Sequence, residues 1–203
     1  MIRFSDVVDR FLSKPIFFVQ VGAYDGEYND PIRKYILKYN WKGIMIEPNL
    51  IPFAKLVDLY GDSEDIELMN VAITRKDRGI EQLRYIPGEG HWKHASATLV
   101  PKNTRMYEFV NEILLAPVRT RTIESILDER AIKQVDLLQI DAEGMDFEVI
   151  LSTNLYKVKP HVIHFEERWL KAPEVCYKYL TASGYNVFTE PDKGDTTAWL
   201  NLR

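Results

Sequence analysis

The chain contains a single cysteine, Cys176. That excludes an intramolecular disulfide framework and a cysteine-rich zinc site, and it fits a reducing compartment. Long apolar runs are also missing. Ile16–Val19 and Ile113–Ala116 are the longest, at four residues each, whereas a membrane span needs about 20. The opening residues, Met1-Ile2-Arg3-Phe4-Ser5-Asp6, hold no apolar stretch suited to a signal peptide. A cytoplasmic protein without a membrane span is therefore expected. There is no excess of positive charge: 26 basic residues face 30 acidic ones, a net charge of −4. A nucleic-acid partner bound through a basic stripe is accordingly not expected. Repeats and low-complexity tracts are absent too. What is present is 203 residues of which 46% are hydrophobic. That is enough to build one substantial core, and it excludes disorder over most of the length.

Periodicity sets the fold class. Ser5 can cap a short helix over Asp6–Ser13. Ile16-Phe17-Phe18-Val19-Gln20-Val21 is a nearly continuous apolar run, as expected of a strand buried on both faces. Asp30-Pro31 reads as a helix start, with Ile32, Tyr35, Ile36 and Tyr39 in register behind it. The alternation continues with a strand at Gly43–Ile46, a helix from Pro52 to Tyr60 and a strand at Ile66–Ile73. Further on come a strand at Val135–Ile140, a helix near Phe147–Leu151, a strand at His161–Phe165 and a helix at Glu174–Ser183 that stops at Gly184. Tyr185–Thr189 and Thr197–Leu202 read as a terminal antiparallel hairpin. Alternating strands and helices predict an α/β fold with a mostly parallel sheet. One domain over 1–203 is expected, with an inserted substrate or lid region at about 74–122. Inside that insertion Ile80–Ile86 reads as an extra strand and Lys102–Leu115 as a helix.

Four segments could carry chemistry. Gly22-Ala23-Tyr24-Asp25-Gly26 is a glycine turn directly after the first buried strand, where open parallel sheets bind ligands. It fits neither the dinucleotide fingerprint, which needs glycine at Tyr24 and Glu27, nor the phosphate loop, which needs a lysine. Glu47 ends the second strand, 47 − 26 = 21 residues beyond Gly26, the spacing at which an acid receives ribose hydroxyls. Asp136-Leu137-Leu138-Gln139-Ile140-Asp141-Ala142-Glu143-Gly144 is a buried strand ending in two carboxylates and a glycine. Asp141 could take a substrate proton or orient an amino group. The paired acids could equally hold a divalent cation, and the sequence leaves that open. Finally, His164 and Glu166 stand two apart on a strand and so share one face.

These segments resemble, in content and order, those of FkbM-family methyltransferases. The resemblance is carried by the Gly22–Gly26 turn, Ile46-Glu47-Pro48, Asn70-Val71-Ala72, Arg121-Thr122-Ile123-Glu124-Ser125-Ile126-Leu127, Asp136–Gly144 and His164-Phe165-Glu166. It runs from about Phe17 to Trp199. It implies a seven-stranded Rossmann-like sheet with helices on both faces, binding S-adenosylmethionine. Carried over, Gly22, Ala23, Asp25 and Gly26 would border the cofactor's methionine part. Glu47 would hold its ribose, Asn70, Val71 and Ala72 would border the adenine, and Asp141 would sit beside the methyl. Many methyltransferases carry an acid two residues before the first glycine, where this chain has Gln20, so Asp25 or Asp141 would have to supply that charge.

The reading is an S-adenosylmethionine-dependent methyltransferase, O-methylating a hydroxyl of a sugar or another small metabolite. Asp141, His164 and Glu166 are the candidate catalytic residues, and His91, Trp92, His94 and Glu143 the candidate contacts to the acceptor. Two other readings stay open. One is a methyltransferase acting on a macromolecule, the other a non-catalytic nucleoside-binding module of the same fold. A homo-oligomer is compatible with all three.

Overall fold

The computed structural model describes residues 2–88, 90–100, 112–190 and 194–201, and not the side chain of Trp92. Five strands form its parallel part: β1 (Phe17–Val21), β2 (Lys42–Ile46), β3 (Ile66–Met69), β7 (Leu137–Ile140) and β8 (Val162–Glu166). With β9 (Asn186–Glu190) and β10 (Asp195–Trp199) they make a seven-stranded sheet in the order β3-β2-β1-β7-β8-β10-β9. β10 pairs antiparallel with both β8 and β9, so the expected terminal hairpin is present and its second strand inserts into the sheet. The strand order reverses between β1 and β7, which are parallel and in register at Gln20↔Gln139. That reversal is the position where doubly wound sheets bind ligands.

Helices cover both faces because strand residues alternate between them. Val19, Val21, Leu138, Ile140, Ile163 and Phe165 point to one side. There they meet α5 (Ile123–Glu129), α6 (Asp146–Leu151) and α7 (Pro173–Ala182). Phe18, Met45, Leu137 and Val162 point to the other side, under α1 (Phe4–Phe11), α2 (Arg33–Tyr39) and α3 (Leu50–Tyr60). The buried strands are apolar on both faces for this reason. No helix of the described residues is long and apolar enough to cross a membrane.

A second sheet interrupts the alternation. β4 (Ala72–Ile73), β5 (Ile80–Tyr85) and β6 (Leu114–Arg121) form it in the order β4-β6-β5, and α4 (His91–Ala95) lies between β5 and β6 in sequence. The strand expected over Ile66–Ile73 is therefore two strands in two sheets. Asn70 causes the break: its Nδ2 donates to the carbonyls of Glu47 at 2.9 Å and Pro48 at 3.1 Å, which draws the chain across the end of β2. The strand expected at Ile80–Ile86 is present as β5, over Ile80–Tyr85. The helix expected over Lys102–Leu115 is not borne out at its end, because Leu114 and Leu115 open β6 and pair with Tyr85 and Arg84. The part over 101–111 lies outside the described residues. Pro117 is tolerated in β6 because β4 pairs only with Thr120 and Arg121, leaving Pro117 with β5 alone beside it.

Two helix starts also differ. α1 begins at Phe4, so Ser5 lies inside it; Asp6 instead accepts from the Arg3 N–H at 2.8 Å. Asp30 does cap, taking the N–H groups of Ile32 at 2.7 Å and Arg33 at 3.0 Å, but the regular helix starts only at Arg33.

Candidate functional site

The carboxyl ends of the central strands are stitched together by backbone. Gly22 and Ala23 donate to the Ile46 carbonyl at 2.9 and 3.0 Å. Asp141 donates to Val21 at 2.9 Å, and Glu47 to Met69 at 3.1 Å. Gly22 has φ +77°, and a Cβ there would lie 1.8 Å from the Asp141 carbonyl oxygen. Glycine is required here because two strand ends meet, in a conformation that L side chains rarely adopt. Gly26 also has positive φ, and a Cβ on it would press into Leu56 and Tyr60 of α3.

Above these strand ends lies a cavity of about 270 Å³. Among the candidate residues, Gly22, Ala23, Glu47, Ala72, His94, Asp141, Glu143 and Glu166 line it. Residues 94–99 form part of its wall. They are tied on one side by Asn49 Nδ2, which donates to the His94 carbonyl at 3.2 Å, and on the other by Thr98 Oγ1, which donates to the Glu143 carbonyl at 3.1 Å.

Glu47 is buried and accepts two backbone N–H groups, Tyr24 to Oε2 at 2.9 Å and Asn49 to Oε1 at 2.7 Å. A carboxylate has about four acceptor positions, so two remain for a ligand. Burial pushes Glu47 up to about 7, against the pull of those N–H groups, and the nearby Asp141 and Asp25 add to the rise. Asp146 is fully buried at the start of α6 and holds the Asp141–Gly144 turn, accepting from Ala142 and Gly144 at 3.3 Å each. Its pKa is raised well above the carboxylate range, first by burial and then by Asp141.

Other candidates sit apart from the cavity wall. Asp25 is buried and caps its own turn, accepting from Glu27 at 3.1 Å and Tyr28 at 2.8 Å, with His91 Nδ1 3.6 Å from its other oxygen. His91 stacks on Tyr28 with ring centroids 4.1 Å apart and lies 3.2 Å from the Tyr24 hydroxyl. Asn70 is occupied with backbone carbonyls, as described above, and Val71 packs against the larger core. His164 points down into the sheet face. It stacks on Phe4 at 4.0 Å, and its Nδ1 lies 3.0 Å from Thr197 Oγ1. A buried histidine between a phenylalanine and a threonine is placed for packing. The side chain of Trp92 lies outside the described residues.

Sequence reasoning missed several residues that line the cavity, among them Gln20, Asp30, Leu83 and Gln139. Gln20 Nε2 donates to Asp30 Oδ2 at 3.3 Å. The acid missing at position 20 thus stands beside it in space, contributed by a residue ten positions later. Asp30 is raised by burial against the N–H groups of Ile32 and Arg33. The signal for Gln20 and Gln139 was available as a polar residue at the same place in two otherwise apolar strands.

The class is that of doubly wound α/β proteins, whose ligand sites lie at the switch point where this chain has its cavity. Comparison with known families narrows it: residues 20–201 match the Methyltransferase FkbM domain, and the chain belongs to that family. Among solved structures it is similar to methyltransferase FkbM from Methylobacillus flagellatus KT, with a TM-score of 0.59, 16% identity, and coverage of 91% of this chain and 43% of that one. It is similar also to precorrin-6y C5,15-methyltransferase from Geobacter metallireducens GS-15, with a TM-score of 0.51, 13% identity, and coverage of 97% and 87%. The N-terminal domain of human METTL16 matches with a TM-score of 0.50 and 13% identity over 97% of this chain and 67% of that one. At these identities the likeness is one of fold. The chain thus spans less than half the length of the FkbM structure it matches. No curated protein sequence matches it significantly.

Proposed function

We propose that the chain is an S-adenosylmethionine-dependent methyltransferase that methylates a hydroxyl oxygen of a sugar or another small metabolite. The observation that carries this reading is Glu47, at the end of β2 in a family of methyltransferases, with two acceptor positions left over and its side chain on the cavity wall. The residues present fit the cofactor. Unused acceptors on Glu47 suit the two ribose hydroxyls, and Asp141, exposed in the cavity, suits an ammonium. When bound, S-adenosylmethionine supplies a methyl group on a positively charged sulfur.

The chain's residues then have distinct tasks. Gly22 and Ala23 form the floor under the methionine part, and Ala72 borders the adenine together with Leu83 from β5. Asp141 stands at the end of β7 and takes the proton of the acceptor hydroxyl on its carboxylate, with Glu166 as the second acid on the adjacent strand end. Residues 91–99 cover the acceptor side as a lid, with His94 on the cavity wall. Most of the rate gain then comes from alignment and from excluding water, since direct displacement needs no covalent enzyme intermediate. His164 supports Phe4 and the sheet.

The test is a methyl-transfer assay against a panel of free sugars and hydroxylated metabolites, with Asp141→Asn as the comparison. Turnover on a member of the panel, lowered by Asp141→Asn at saturating cofactor, supports the reading. A variant with unchanged turnover would remove Asp141 from the chemistry.

A further inference from the structure

Three carboxylates converge on the cavity wall. One oxygen each from Asp141, Glu143 and Glu166 lie within 4.8 Å of one another. The fold brings them together: β7 and β8 run parallel in register at Ile140↔Phe165, so Asp141 and Glu166 stand next to each other just beyond that pair. Glu143 joins them from the turn, held at φ +48° and buried.

A second observation is independent of the acids. Gln139 lies two residues before Asp141 and so shares its strand face. It is 3% exposed and lines the same cavity, and its Oε1 has no hydrogen-bond partner among the described residues. Gln20 is its register partner on β1 and is 1% exposed. Because Gln20 Nε2 donates to Asp30, the amide orientation is fixed and Oε1 is the acceptor left over. A buried acceptor without a donor is destabilising, so two of them on one wall call for a donor inside the cavity.

We propose that Asp141, Glu143 and Glu166 hold a hydrated divalent cation of the magnesium or manganese kind. An all-oxygen donor set suits hard cations. Magnesium keeps several of its waters, and those waters carry the protons that Gln139 and Gln20 lack. The cation takes one oxygen from each of the three acids, and in that position it can bind and activate an acceptor oxygen. The inference builds on the proposed methyltransferase site, but the cation binds the protein without the cofactor.

The test uses the full chain, stripped with a chelator and titrated with manganese chloride, with the free manganese read by electron paramagnetic resonance. One saturable site per chain is expected, with Kd on the order of 0.1–1 mM, displaced by magnesium. Asp141→Asn and Glu166→Gln should each weaken it at least about tenfold, whereas Glu129→Gln on exposed α5 surface should not. Melting curves check that each variant is folded, and Asp141 is exposed enough for its variant to keep the fold. Absence of saturable binding in the wild type overturns the proposal, as does equal binding in both site variants. S-adenosylhomocysteine binding in the same samples separates the two ideas. Homocysteine nucleoside bound without manganese removes the cation alone, and manganese bound without it removes the cofactor reading alone.

Discussion

The seven-stranded sheet and the small sheet are built on different physical terms. Strands β1, β2, β7 and β8 are buried along nearly their whole length and feed two large clusters of apolar side chains. Among the described residues the small sheet's buried cluster is Ala72, Leu83 and Val118, and most of β5 and β6 is part or fully exposed. Yet both contribute to the cavity, the large sheet through Gly22, Glu47 and Asp141, the small one through Ala72, Ile73 and Leu83. The contributions differ in kind: the large sheet supplies the cavity's glycine turn and carboxylates, and the small sheet, with the chain after it, supplies apolar wall.

The sharpest way to break that comparison is a pair of glycines with nearly the same backbone angle. Gly22 has φ +77° and a backbone oxygen where its Cβ would go, while Gly79 has φ +76° and nothing within 4 Å. Gly22→Ala should abolish the folded state or cost more than about 4 kcal/mol, since both strain and overlap with backbone apply. Gly79→Ala should cost only about 1–2 kcal/mol of left-handed strain. Urea denaturation of both variants measures this, and equal losses would dissolve the distinction.

Core truncation gives the next largest effect. Leu138→Ala in β7, fully buried in the larger cluster, should cost about 3–5 kcal/mol. Leu83→Ala in β5 should cost about 2 kcal/mol, near the lower limit, because its small cluster can close around the gap. Leu83→Ala should also weaken S-adenosylhomocysteine binding, as Leu83 lines the cavity; Leu138→Ala, which does not line it, should leave that affinity nearly unchanged. Denaturation and calorimetry together score the pair.

A pH titration sharpens the electrostatic side. On the proposed reading ribose hydroxyls would donate to an ionised Glu47, and burial raises Glu47 to about 7. Ligand affinity should therefore be near full at about pH 8 and above and decline as pH falls through about 7. Stability should run the opposite way for this group. Its folded pKa lies above the usual 4.5, so the folded state binds the extra proton, and stability falls as pH rises from about 4.5 through 7. Calorimetry and urea midpoints across that range check both signs.

The smallest effect is expected at His91. It is half-exposed and clasps α4 to the glycine turn through Tyr24, Tyr28 and Asp25. His91→Ala should change stability by no more than about 0.5 kcal/mol. A larger loss would mean that the clasp, rather than the ties from Asn49 and Thr98, holds the wall in place.

The same contrast explains what was legible in the sequence. Strands buried on both faces announce themselves as apolar runs, and Ile16–Val21 and Gly43–Ile46 are found within a residue or two of where they were expected. The glycine turn, Glu47 and Asp141 follow from their places at strand ends. The small sheet gives no such signal. Its strands are half-exposed, its partners lie far apart in sequence, and Leu114-Leu115-Ala116 looks as helical as it looks extended. The break at Asn70 was invisible because it depends on the carbonyls of Glu47 and Pro48, just past β2. Gln20 read as a missing acid because its partner, Asp30, is brought beside it by a loop. The packing of His164 on Phe4 depends on a contact between α1 and β8 that no local pattern encodes.

The central claim is that the cavity over β1, β2 and β7 is a cofactor site held by Glu47. Calorimetric titration of the full chain with S-adenosylhomocysteine at pH 8 tests it most directly, with Glu47→Ala alongside and melting curves showing that both proteins are folded. Micromolar binding by the wild type, weakened at least about tenfold in the variant, is the predicted result. A folded wild type that binds nothing at millimolar ligand, or a variant that binds equally well, would contradict the account.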